Sequence, residues 1–159
     1  MRLHACGVAH LDISLENVLC RARPHFEAVL IDFETAEAGG RRLVLGSVGK
    51  PQYRAPEMWG GEPWDTFSAD FFACGVVAYA LAVGRHPWDS TKPGTCHRFG
   101  FFATRGLPAF LRTQQVIWRN SCTGTSAAEC LSPRMTALLQ VLLSLRPALR
   151  EAAVAFTLA

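Results

Sequence analysis

The stretch "HLDISLENVL", residues 10–19, places Asp12 and Asn17 five positions apart between apolar residues. Residues 17–20 and 28–33 are short apolar runs rich in residues that favour β-strands. A cluster of turn-forming residues separates the two runs. The pattern therefore predicts a small β-hairpin directly after the loop that carries the aspartate and the asparagine.

A second aspartate, Asp32, comes at the end of the second predicted strand. The hairpin would bring Asp32 close to Asn17, so that both side chains could offer oxygen atoms to one hard cation. Asp12, at the mouth of the same loop, could then act as a base toward a substrate hydroxyl or orient it.

Helical patterns dominate the rest of the chain. Residues 68–83 are largely apolar and are followed by Gly84, which predicts a helix buried on all sides. Residues 90–131 predict one or two short helices. Ser132 is a suitable N-cap for a later amphipathic helix, which we expect Pro147 to end. The predicted fold class is α+β, mainly α.

Composition excludes several classes of protein. The chain has 159 residues, a formal net charge of +3 and no run of five basic residues, so we expect no nucleic-acid partner. The longest apolar run, residues 71–83, is shorter than the ~18–20 residues that cross a bilayer, so we expect no membrane partner. Six cysteines without a C-x-x-C pair, and the lack of a signal-peptide pattern, predict reduced thiols and a cytoplasmic location.

Six short motifs follow one another in a definite order. "HLDISLEN" is similar to H-R-D-L-x-x-x-N, "DFE" stands where D-F-G is expected, and "GKPQYRAPE" ends in A-P-E. "DFFACG", "GRHPW" and "RPALR" come next. Together the motifs run from His10 to Arg150 and resemble the C-terminal lobe of a eukaryotic protein kinase.

The resemblance implies a partial kinase domain over residues 1–159, with a small β-hairpin, an activation segment and a helical bundle. The catalytic loop would be residues 10–19, the activation segment residues 32–57 and the central buried helix residues 68–83. The implied reaction is transfer of the γ-phosphate of ATP to a hydroxyl of a protein substrate, with ATP and Mg²⁺ as cofactors. Regulatory proteins are further expected partners.

The resemblance also assigns roles to single residues. Asp12 would be the catalytic base or orienter, and Asn17 and Asp32 would hold magnesium. Structural roles are implied for four residues: His10, Glu57, Asp70 and Arg150. The last of these would form an ion bridge with Glu57 that braces the activation segment. Asp70 would hold the backbone of the catalytic loop, although from the residues alone it could simply cap its own helix.

Several positions depart from the family pattern. Leu11 replaces an arginine that receives phosphate, so we do not expect phosphorylation of Ser47 to be the switch. Ser14 replaces a lysine that reaches the transferred phosphate, which removes a positive charge beside it. The activation-segment residues of interest are Glu34 in place of glycine, Ser47, Lys50 in place of a common threonine, and Tyr53.

The family's glycine-rich loop and strand lysine precede the catalytic loop, and neither pattern occurs here, so we expect the N-terminal lobe to be absent from this chain. Without it, we expect the helix at residues 71–83 to lose neighbours and expose a large apolar patch. Two functions stay open: a serine/threonine kinase, favoured by Glu16 before Asn17, or a pseudokinase remnant that binds proteins without catalysis. A fragment with no stable fold is a third alternative.

Overall fold

The computed structural model of the chain describes residues 2–21, 27–117 and 125–157. Short strands occupy the first part of the chain and longer helices the second. The strands are β1 (Val8–Ala9), β2 (Val18–Arg21), β3 (Glu27–Leu30), β4 (Glu37–Ala38), β5 (Leu43–Val44) and β6 (Trp64–Asp65). The helices are α1 (Arg2–Ala5), α2 (Thr66–Val83), α3 (His97–Thr113), α4 (Ala127–Cys130) and α5 (Pro133–Leu142). Three segments are 3₁₀-helical: Leu15–Asn17, Pro56–Trp59 and Pro147–Thr157.

A hairpin follows the loop at residues 10–19. Strands β2 and β3 pair antiparallel, with Val18 opposite Leu30. The second strand ends at Leu30, before the end of the predicted run, because the backbone turns at Asp32, whose φ is 64°.

Residues 34–56, which lie within the predicted activation segment, contain two short strands. β4 pairs with β1, and β5 pairs with β6, each over two residues and in antiparallel order. Sequence periodicity could not find strands this short, since their partners are distant in the chain. The pairs hold the segment against the catalytic loop on one side and the start of α2 on the other.

Helix α2 is the centre of the core. Asp65 caps its N-terminus by accepting a 2.7 Å hydrogen bond from Ser68 N, and Gly84 ends it with a φ of 87°. Most of its side chains are buried, and it packs against β1, α5 and the segment Pro147–Thr157. By length and composition α2 could cross a membrane, but 72% of that window is buried inside the protein. The prediction that α2 exposes a large apolar patch is therefore wrong. Among the large apolar side chains of α2, Leu81 is the exposed one, at 53%.

Helix α5 and the segment Pro147–Thr157 cover α2, and the sequence did not predict these contacts. Gly75 lies so close to α5 and its C-terminal end that a Cβ there would be 2.9 Å from Leu142 Cβ and 2.8 Å from a Leu143 methyl group. Helix α5 begins as expected, with Ser132 accepting a hydrogen bond from Met135 N. It ends at Leu142, and Pro147 starts the following 3₁₀ segment instead of ending the helix.

The region 90–131 contains α3, which is longer than expected but broken inside. At Gly106 the backbone leaves helical geometry, with φ 74° and ψ 170°, so α3 consists of two helical parts. Its buried phenylalanines surround Trp88, which is fully buried between α2 and α3. This aromatic cluster is the second half of the core.

Candidate active site

The backbone of the catalytic loop is held by the core helix. Asp70 of α2 is 1% exposed, and its carboxylate accepts 2.8 Å hydrogen bonds from the backbone N–H groups of His10 and Leu11. His4 Nε2 donates to the same carboxylate at 2.9 Å. Bonds to an ionised carboxylate are among the stronger hydrogen bonds in proteins. Asp70 does not cap α2, since Asp65 does, so the cap interpretation is wrong.

Two residues near this loop have left-handed backbone conformations. Leu11 has a φ of 65° and Asp32 a φ of 64°, although neither is a glycine. Each such position costs roughly 1–3 kcal/mol and persists where the surroundings impose it, often at functional sites. His10 links the two: its Nε2 donates to Ile31 O at 3.1 Å, and its carbonyl accepts from Thr35 Oγ1 at 3.0 Å.

Asp12 and Asn17 are in direct contact. The Asn17 amide nitrogen donates to Asp12 O and to Asp12 Oδ2, each at 2.9 Å. Both amide hydrogens are thus used, and within the described part of the chain Asn17 Oδ1 accepts no hydrogen bond. The Asp12 side chain is 17% exposed and lies at the surface of the loop. The loop therefore presents a fixed carboxylate beside an amide oxygen.

Asp32 directly follows Ile31, which extends the β2–β3 pairing beside Asn17. Ile31 N donates to Asn17 O at 3.0 Å, which continues the β2–β3 pairing and places the two segments side by side. The Asp32 carboxylate is exposed, and its hydrogen bond in the described residues is a long one, 3.5 Å, from Glu34 N. Mg²⁺ prefers a few protein oxygens completed by phosphate and water, so Asp32 and Asn17 Oδ1 fit such an ion chemically.

The activation segment rests on the catalytic loop at two points. Lys50 Nζ lies 3.1 Å from Asp12 Oδ2 and 2.7 Å from Oγ of Ser14, which is fully buried. Tyr53 accepts a 3.1 Å hydrogen bond from Leu15 N, and its hydroxyl lies 2.6 Å from His86 Nε2.

Burial of the hydroxyl raises the pKa of Tyr53 above its usual value of 10.0, so this bridge carries a neutral phenol. Neither His86 nor His4 is predicted as a site residue from the sequence. Their partners are 33 and 66 residues away, so no local pattern marks them.

The end of the activation segment is anchored by an ion pair. Arg150, fully buried, donates to Glu57 Oε1 at 2.5 Å and to Glu57 Oε2 at 2.9 Å. The same guanidinium donates to the carbonyl oxygens of Ser68 and Ser144. The pair thus joins the segment, the start of α2 and the C-terminal part.

Two predicted residues of the activation segment lie away from these contacts. Glu34 and Ser47 are both exposed. Glu34 does not have a positive φ, so its backbone conformation needs no glycine. The departure from D-F-G at this position is therefore compatible with the local fold.

The chain is similar in sequence to known proteins over much of its length. The family model described as protein kinase domain matches residues 1–157. Serine/threonine-protein kinase GIN4 of Saccharomyces cerevisiae is 36% identical over 86 residues, which cover 54% of this chain and 7% of that protein. Serine/threonine-protein kinase chk1 of Schizosaccharomyces pombe is 34% identical over 97 residues, covering 58% of this chain and 19% of that protein.

A plant relative matches a longer stretch. CBL-interacting serine/threonine-protein kinase 17 of Arabidopsis thaliana is 34% identical over 110 residues, which cover 68% of this chain and 26% of that protein. The chain thus spans about a quarter or less of the length of these three relatives. Because the family model covers nearly all of its residues, the chain belongs to the protein kinase family.

Proposed function

We propose that the chain is the catalytic half of a serine/threonine protein kinase that transfers the γ-phosphate of ATP to a hydroxyl of a protein substrate. The observation that carries the proposal is the fixed Asp12 carboxylate. Asn17 donates one hydrogen bond to this carboxylate and one to the backbone carbonyl of Asp12, while Asp70 holds the preceding backbone. Catalysis of phosphoryl transfer depends mainly on how the reacting groups are positioned, and this loop holds a carboxylate in a fixed position.

In the proposed reaction Asp12 orients the substrate hydroxyl and accepts its proton. The hydroxyl oxygen forms a bond to the terminal phosphorus of ATP while the bond from that phosphorus to the bridging oxygen breaks. The electron pair of the broken bond stays with the departing ADP. Asn17 and Asp32 would hold Mg²⁺, which supplies positive charge beside the phosphates when it is bound.

The proposed setting is the reducing cytoplasm, with a protein substrate and regulatory proteins as partners. The cysteines in the described part of the chain form no disulfide with one another: they are Cys6, Cys20, Cys74, Cys96 and Cys130. Cys122 lies outside the described residues. Free thiols are the usual state in a reducing compartment, which supports this setting.

Asp12→Asn in the full-length protein that carries this chain tests the proposal. The amide cannot accept the hydroxyl proton, so we expect transfer of labelled phosphate from ATP to a protein substrate to fall by about 10²–10⁴-fold. Asp89→Asn, at an exposed position outside residues 10–19, is the matched control. Equal rates for Asp12→Asn and wild type would contradict the proposal.

A second function, protein binding without catalysis, has one specific observation in its favour. Asp12 Oδ1 is buried and accepts no hydrogen bond from the residues that the structure describes, and Asp12 Oδ2 already contacts Asn17 and Lys50. Neither oxygen of the base is fully free in this conformation. Titration of the full-length protein with MgADP, with Asp32→Asn as control, separates the two functions, because a module without catalysis needs no magnesium-dependent nucleotide binding.

A further inference from the structure

Lys50 reaches the candidate base because the chain before it approaches the catalytic loop very closely. Gly49 has a φ of 77°, and a Cβ at this position would be 2.7 Å from Leu11 O and 3.3 Å from Asp12 Oδ1. A glycine is therefore required by both conformation and space. This contact brings the next residue, Lys50, over the loop.

The ammonium of Lys50 is held on one side and open on the other. It donates to Asp12 Oδ2 and Ser14 Oγ, while its distance to Glu16 Oε2 is 3.8 Å, longer than a hydrogen bond. An ammonium carries three N–H donors, so one of them has no close acceptor among these contacts. The Lys50 side chain is 34% exposed, so a ligand at the loop can reach that donor.

The catalytic loop carries carboxylates, so the positive charge of Lys50 matters for binding an anion there. The described ion pairs that involve residues 10–19 are those of Lys50 with Asp12 and Glu16. Asp32 and Glu34 add further carboxylates nearby in the sequence. A phosphate arriving at the loop would meet several negative side chains, and within the described residues Lys50 is the cation that contacts the candidate base.

We propose that Lys50 is a catalytic residue that neutralises the transferred phosphate, with Ser14 as its anchor. The inference rests on the proposed kinase function. A hydroxyl that donates to Asp12 lies within about 3 Å of that carboxylate, so the phosphorus that it attacks lies close to the neighbouring ammonium. A preorganised cation at this point stabilises the charge that develops during transfer. The positive charge that Ser14 lacks is thus supplied from the activation segment.

A purely structural ion pair is the competing interpretation. Ion pairs with partly exposed partners contribute little to folding, and Lys50 is such a partner. The buried Ser14 hydroxyl also makes a shorter contact with Lys50 than the Asp12 carboxylate does, 2.7 against 3.1 Å. The hydroxyl thus places the ammonium beside the base and leaves it a donor free.

The first test compares variants of the full-length protein with saturating and limiting MgATP. Lys50→Met removes the charge at similar length, and we expect kcat to fall by roughly 10²–10³-fold, as for other lost transition-state donors, with KM for ATP little changed. Lys50→Arg keeps the charge and should retain most of kcat. The other lysine of the chain, Lys92, is exposed and its ammonium lies over the ring of Trp59, so Lys92→Met is the matched control.

The second test needs no variant and no turnover. Wild-type protein is acylated with an amine-reactive ester, and labelling of Lys50 and Lys92 is followed by peptide mass spectrometry. Addition of MgADP with aluminium fluoride, which mimics the transferring phosphate, should slow acylation of Lys50 more than MgADP alone does. Lys92 should label equally in all conditions.

Each outcome decides one of the two proposals. If wild type is active and Lys50→Met stays within a few fold of it, the role of Lys50 is overturned and the kinase function stands. Loss of kcat in Lys50→Met without protection of Lys50 by aluminium fluoride also overturns the role, because the lysine would then act only on structure. A wild-type protein that transfers no phosphate overturns the kinase function and this inference with it.

Discussion

Arg150→Ala is the most informative single perturbation of the fold. The guanidinium is fully buried and donates to Glu57, to Ser68 O and to Ser144 O. It also lies 4.9 Å from the centre of the Phe72 ring. Alanine would leave the Glu57 carboxylate, which is 19% exposed, and two carbonyl oxygens without these partners.

The expected loss of stability is large because the surviving charge stays uncompensated. Removing one partner of a buried pair costs about 3–5 kcal/mol. For a chain of this size, 1 kcal/mol corresponds to roughly 2–4 °C in Tm, so we expect Tm to fall by about 10 °C. The assay is unfolding of the purified chain by heat and by urea, followed by circular dichroism. A sharp transition for wild type is itself expected, since α2 is well covered.

Two further variants test whether the loss of stability comes from the unpaired Glu57 carboxylate. Arg146→Ala removes an exposed arginine from the same part of the chain and should change stability by less than about 0.5 kcal/mol. The pair Arg150→Met with Glu57→Gln should be less damaging than Arg150→Ala alone, because it leaves no unpaired carboxylate. A loss of less than about 1 kcal/mol in Arg150→Ala, the level of a surface pair, would refute the reasoning.

Three further predictions follow from other contacts. Gly49→Ala should destabilise the chain by more than about 1 kcal/mol, because its Cβ would lie 2.7 Å from Leu11 O, whereas Gly46→Ala, with a φ of 87° and open space, carries the conformational strain alone; equal urea midpoints for the two variants would contradict this. Asp70→Asn replaces one acceptor oxygen by a donor that faces a backbone N–H, so we expect a loss of about 1.5–3 kcal/mol in urea unfolding, and an unchanged midpoint would exclude the role of this carboxylate. Burial, and then the charge of Asp70, raises the pKa of Cys74 from 9.0 to about 12, so above pH 9 the unfolded thiol loses its proton while the folded one keeps it. Stability should therefore fall between pH 9 and pH 12, by up to about 1.4 kcal/mol per pH unit from this thiol, and Cys74→Ala should reduce the slope; the same slope in both proteins would contradict the assignment.

Local signals in the sequence were sufficient for several elements. Ser132 before a proline and an amphipathic run predicted the start of α5, and Gly84 predicted the end of α2. The two apolar runs predicted the β2–β3 hairpin to within a few residues. These features depend on capping, backbone freedom and short-range pairing, all of which act between residues close in the chain.

Other features depended on contacts between distant segments. The two-residue strands β4 and β5 exist only through partners elsewhere, and their pattern is too short to detect. The covering of α2 by α5 and by Pro147–Thr157 was also missed, which led to the wrong expectation of an exposed patch. Amphipathic patterns show which residues seek burial but not which segment buries them.

The sequence by itself determined the family and the order of the motifs, because Asp12, Asn17 and Asp32 occur in recognisable local patterns. Only the tertiary structure decided how the site is assembled. It placed the ammonium of Lys50 against Asp12, 38 residues earlier, and the Asp70 carboxylate under the catalytic-loop backbone. Side-chain charges act through space, over a few ångströms, so their effect depends on where folding brings them and not on their separation along the chain.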